Sequence, residues 1–99
     1  MPIVYVVQDS PGKNLIPAQE FGELRVMLSY NDSKKSTDFI CNKLIKILAD
    51  MESDDCLLLI GNPLFIGLAC AIASNNLIKF HVLIWERDRY KYRKESVVL

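Results

Sequence analysis

Histidine is nearly absent from this chain: His81 is the only one, and the three cysteines, Cys41, Cys56 and Cys70, stand far apart. A single histidine excludes a His-rich metal site, and the cysteines lack the close pairing of a zinc knuckle or redox dithiol. Odd in number and set in apolar stretches, they read as small buried hydrophobes in a reducing compartment, not as a disulfide framework. Long apolar runs are missing as well. The longest, residues 63–73, falls far short of the roughly 20 residues a membrane span needs. Residues 1–3 lead straight into a strand pattern, so no signal peptide is expected and the protein reads as soluble and cytoplasmic. The phosphate-loop patterns G-x-x-x-x-G-K-[ST] and G-x-G-x-x-G do not occur, nor does the G-x-S-x-G nucleophile turn. No metal or cofactor is expected.

What is present describes a small folded protein. Ninety-nine residues suffice for one domain, taken as 1–99, and leave no room for a second core. Hydrophobic content of 51% with 24% charged residues excludes a disordered chain. A domain this short leaves much apolar surface uncovered when folded alone, so a homodimer is expected. Net charge is zero but uneven: residues 1–56 carry nine acids and six bases, residues 57–99 three acids and six bases. The asymmetry suggests a polar interaction surface more than a general nucleic-acid binder.

The central stretch carries the most structural information. Residues 56–60 (CLLLI) are an apolar run of strand length, followed by Gly61-Asn62-Pro63 and the apolar helix pattern 64–73. Asn62 is placed to cap and Pro63 to take the first helical position, where its missing N–H costs nothing. Gly67 inside that helix predicts a close neighbour, and Asn75-Asn76 a left-handed cap. Residues 3–8 (IVYVVQ) are β-branched and read as a strand, and 9–20 as a turn and loop around Pro11-Gly12 and Pro17. Residues 21–30 alternate, with Leu24, Val26, Leu28 and Tyr30 on one face, which predicts an edge strand. After the loop 31–36, Ser36 should cap an amphipathic helix whose stripe is Ile40, Leu44, Ile47, Leu48 and Met51. Residues 79–86 and 90–99 complete the pattern as a strand, a turn and a returning strand.

The fold class is therefore α/β: a mixed five-stranded sheet with two helices in the order β-β-α-β-α-β-β. Two β-α-β units imply three parallel strands. Apolar residues on both faces of strand 56–60 require both faces of the sheet to be covered. Two arrangements do this: helices on opposite faces, or both on one face with a second subunit over the other.

Three surfaces could carry function. At the carboxyl ends of the strands, the loop 31–36, Gly61 and Asn62, and residues 86–87 should meet, with Lys34 and Lys35 near a helix N-terminus; this is an anion or nucleotide site in outline. In the C-terminal ribbon, Arg87, Arg89, Lys91, Arg93 and Lys94 interleave with Trp85, Tyr90 and Tyr92. Basic groups between flat rings suit single-stranded nucleic acid, but the preferred reading is an edge strand protected from aggregation or offered to a protein. The apolar pair Leu15 and Ile16 either folds back over the core, the preferred reading, or meets a partner. His81 is expected to pack in mid-strand, and Asp54 and Asp55 to sit in a solvated loop.

The runs LLIGNPLFIGLACAIA (58–73) and VLIWERDRYKY (82–92) resemble small proteins of tailed phages, especially marine and cyanobacterial podoviruses. The shared features are a strand-turn-helix and a hairpin, so the resemblance transfers no catalytic residue. It implies a virus-encoded accessory protein acting inside the infected bacterium. The function expected is that of a non-enzymatic interaction protein that binds a host or viral protein. The alternatives are a nucleic-acid binder using the ribbon and a phosphate- or nucleotide-binding enzyme at the strand ends. Partner contacts would come from Leu15 and Ile16, the ribbon, or the small-residue surface at Gly67 and Ala71.

Overall fold

The computed structural model describes residues 2–98. Five strands form one mixed sheet: β1 (Ile3–Gln8), β2 (Glu23–Leu28), β3 (Cys56–Leu58), β4 (Lys79–Glu86) and β5 (Lys91–Val98), in the spatial order β2-β1-β3-β4-β5. The greasy central run is an interior strand, as its composition requires: Cys56, Leu57 and Leu58 are all fully buried. It is shorter than the apolar run, because the regular ladder to both neighbours ends at Leu58, though the Gln8 N–H still donates to the Ile60 carbonyl (3.1 Å). Strand β2 lies at the edge, as its alternation predicts, but ends at Leu28; Tyr30 belongs to a 3-10 turn, Tyr30–Lys34.

Four strands are parallel, not three. β1 also runs parallel to β2, and only β5 is antiparallel to its neighbour. The loop read for residues 9–20 contains the extra crossover, built on a 3-10 segment, Ile16–Phe21. Crossovers are right-handed, so two that travel in opposite directions along a sheet lie on opposite faces. The step from β1 to β2 goes one way; the steps from β2 to β3 and from β3 to β4 go the other. Helices α1 (Thr37–Leu48) and α2 (Pro63–Asn76) therefore share a face. Ile40, Leu44, Leu48, Phe65, Ala69 and Ala73 pack there on Tyr5, Val7, Leu57, Phe80 and Val82. Across the sheet, Val4, Val6, Cys56, Leu58, Leu83 and Tyr92 are covered by the chain itself, through Ala18 with Leu15 and Phe21 against it. The chain itself buries the centre of the second face, while Val26 and Trp85 at its margins stay partly exposed.

Local signals explain the helix starts. Ser36 accepts a hydrogen bond from the Phe39 N–H (3.1 Å), and Asn62 from the Leu64 N–H (2.9 Å). The end of α2 differs from expectation: Leu77 is extended, and no asparagine there takes a left-handed conformation. Nor does Gly67 admit a neighbour within the chain; a Cβ built there would meet nothing within 4 Å. Asp55 is also not solvated. Only 5% exposed, its carboxylate accepts the Ile3 N–H and the Glu52 N–H, both at 2.8 Å, and so ties the start of β1 to the turn before β3.

Candidate functional site

Two loops converge on one side chain at the carboxyl ends of the parallel strands. Gln8 closes β1 as its one polar residue and is almost completely buried. Its Oε1 accepts the Asn62 N–H (2.9 Å), while Nε2 donates to the Ser29 carbonyl (3.1 Å) and to Ser33 Oγ (2.7 Å). The loop after β2 and the turn before α2 thus meet, as the sequence predicts, with a glutamine as the link. Gly61 makes the turn possible. Its φ is +122°, and a Cβ there would lie 2.5 Å from that of Gln8.

The anion site outlined by Lys34, Lys35, Gly61 and Asn62 is not assembled as expected. Asn62 N–H is bonded to Gln8, Leu64 N–H to the Asn62 cap, and Pro63 has none, so the first turn of α2 keeps few free donors. Lys35 Nζ instead lies over the Phe39 ring, 5.4 Å from its centre, at the start of α1. The neighbouring charged contact is Asp32, whose carboxylate accepts from Lys43 Nζ (3.0 Å) and the Ser29 N–H (2.9 Å). The Lys43 bond first, and the Ser29 backbone bond second, hold its carboxyl below the usual range.

The ribbon divides into two sets of residues. Tyr92 is core: 4% exposed, with its hydroxyl donating to the Asn14 carbonyl at 2.8 Å. Arg93 is tied to Glu95 (2.8 Å) and Glu86 (3.7 Å). The other contact residues remain free. Arg87 and Arg89 form no ion pair among the described residues, Tyr90 is 75% exposed, and Trp85 is 37% exposed. Trp85 is wedged edge-on against both tyrosines, with ring centres 4.9 Å from Tyr92 and 6.4 Å from Tyr90. Tyr90 itself takes a left-handed conformation, φ +51°, at the hairpin turn. Of the apolar pair, Leu15 folds back over the core and Ile16 stays 70% exposed.

His81 packs in the sheet as expected. Its Nδ1 lies 3.1 Å from Ser96 Oγ, and burial, then the Lys94 and Lys79 charges, push its pKa below the usual value. Burial raises the pKa of the Cys56 and Cys70 thiols, which keeps both protonated and poor nucleophiles. Gln8 and Asp32 are not singled out by the sequence pattern, and Asp55 is read there as solvated. Gln8 alone left a signal, a polar residue ending an otherwise apolar strand.

Beside Gln8's turn lies a cleft of about 380 Å³, walled by Gly12, Lys13 and Asn14 after β1, residues 59–61 after β3, and Trp85 and Tyr92. No helix among the described residues is long and apolar enough to cross a membrane. A family model described as Phage Pam3 gp32-like protein matches residues 2–99. No curated protein and no solved structure matches.

Proposed function

The chain belongs to the Phage Pam3 gp32-like protein family, and from that premise we propose that it is a non-enzymatic phage accessory factor. It binds a host or viral protein in the cytoplasm of the infected cell, through the tip of the β4–β5 hairpin. The observation that carries this reading is the set of groups left unspent there: Arg87 and Arg89, without acidic partners among the described residues, beside Tyr90 and a half-exposed, braced Trp85. Arginine, tyrosine and tryptophan are the residue types that dominate binding hot spots, and rings already fixed lose little entropy on docking. The fitting partner presents acidic groups around a pocket for Tyr90. Three unbridged cysteines agree with a reducing compartment.

The nucleic-acid alternative draws on the same ribbon with fewer free groups. Tyr92 is unavailable for stacking, and Arg93 is neutralised by two glutamates. A homodimer remains part of the proposal, through α2: its residues 63–76 carry no charge, and Leu64, Gly67 and Ala71 are exposed. The edge of β5 is a poor alternative, because twofold antiparallel pairing about its middle sets Lys94 or Glu95 against itself.

The test uses the wild-type chain and an Arg87→Ala/Arg89→Ala/Tyr90→Ala variant as baits in lysate of phage-infected cells, with quantitative mass spectrometry. A protein retained by the wild type and depleted about tenfold or more by the variant is expected. Identical captures by both baits, or captures abolished by nuclease, would overturn the reading. Light scattering at micromolar concentration checks the dimer, and a monomer there removes it.

A further inference from the structure

We propose that the cleft between the loop after β1 and the turn after β3 binds a mononucleotide, its flat ring against Trp85 and its phosphate on Lys13 and the surrounding backbone N–H groups. This goes beyond protein binding at the hairpin tip and does not depend on it.

The position comes from topology. One crossover leaves β1 toward β2 and another leaves β3 toward β4, so the strand order reverses between these two neighbours. In open α/β sheets, ligands settle outside the carboxyl ends of the strands at such a reversal, where the flanking loops diverge. The cleft lies there, walled by residues 12–14 from one side and 59–61 from the other.

The ligand class comes from the walls. Lys13 forms no ion pair among the described residues. The N–H groups of Gly12, Asn14 and Gly61 donate to no protein acceptor among those residues. One ammonium with several unpaired backbone donors suits a phosphate monoester. The opposite wall supplies a ring: Trp85, braced by Tyr92, whose hydroxyl holds the Asn14 carbonyl of the Lys13 loop. The aromatic wall and the cationic loop are thus fixed to one another before any ligand arrives, which lowers the cost of binding. A volume of about 380 Å³ lies near the small end of ligand sites, roughly 300–1,000 Å³. One flat ring system with a single sugar-phosphate fits that space.

Trp85 is the only tryptophan, so its emission reports on the cleft. The experiment titrates the full chain with AMP, GMP, CMP, UMP and flavin mononucleotide (the last followed by its own emission). The matching nucleosides, inorganic phosphate and a short single-stranded oligonucleotide run in parallel. We expect saturable binding of at least one mononucleotide with Kd below about 1 mM, and about tenfold weaker binding of its nucleoside and of phosphate alone. Lys13→Ala, at an exposed loop position, should keep the wild-type melting curve and lose about tenfold in affinity. The proposal is overturned if no mononucleotide saturates, if Lys13→Ala binds as the wild type does, or if the oligonucleotide alone binds.

Discussion

Replacing Gln8 with alanine tests whether one amide holds the carboxyl-end loops together. The side chain makes three hydrogen bonds, to the Asn62 N–H, the Ser29 carbonyl and Ser33 Oγ. Each such bond contributes about 1 kcal/mol net, and a buried partner left unpaired costs more. Residues 29, 33 and 62 are exposed, so water relieves much of that penalty. The expected loss is about 2–3 kcal/mol, or roughly 10–20 °C in Tm for a domain of this size. Urea and thermal unfolding followed by circular dichroism measure it. Gln8→Glu sharpens the test: it keeps the acceptor for Asn62 but faces the Ser29 carbonyl with a second acceptor where a donor stood. It should therefore be at least as damaging as alanine. A loss under about 0.5 kcal/mol for Gln8→Ala, or wild-type stability for Gln8→Glu, would refute the reasoning.

Gly61→Ala should cost about 3 kcal/mol or more, from the positive φ and the approach to Gln8 Cβ together. Because alanine at position 8 keeps that Cβ, the double variant should show no rescue in unfolding titrations. Tyr5 is fully buried with no partner for its hydroxyl among the described residues, so Tyr5→Phe should raise stability by about 1 kcal/mol, seen as a higher urea midpoint at unchanged m-value. Asp32 has a lowered folded pKa, so the unfolded chain binds its proton more readily. Its contribution is complete above the ordinary carboxyl pKa, near 4, and fades as pH falls through the folded value. Acid unfolding of Asp32→Asn should accordingly start from lower stability at pH 7 and show a shallower decline below about pH 4.

The elements themselves were readable because their signals are local. Ser36 and Asn62 cap where they should, the stripe Ile40-Leu44-Leu48 faces the core, and the alternation of 24–28 marks an edge strand. Layering was not, since the side on which each helix lands depends on the direction of travel across the sheet and hence on strand order. The first crossover was missed for a related reason: the 3-10 turn at 16–21 is too short to imprint a period, and Pro17 reads as a breaker. Among the candidate contacts, residue type alone marks Tyr92 and Arg93. Strand register then placed Tyr92 beside Trp85 over the Asn14 loop and brought Arg93 near Glu86. Asp55 looked like half of a solvated pair because its partners, the Ile3 and Glu52 N–H groups, are backbone and leave no mark in the side-chain pattern.

The pairing of β1 with β3 brings together segments about half the polypeptide apart, fastened at one end by Ile3 to Asp55 and at the other by Gln8 to Asn62. During synthesis, the first strand has to wait on the ribosome, one flank bare, until its mate has cleared the exit tunnel. Any nascent fragment halted before that moment holds this edge of β1 open, so translation speed over the stretch between β1 and the emergence of β3 should govern how much of the product aggregates.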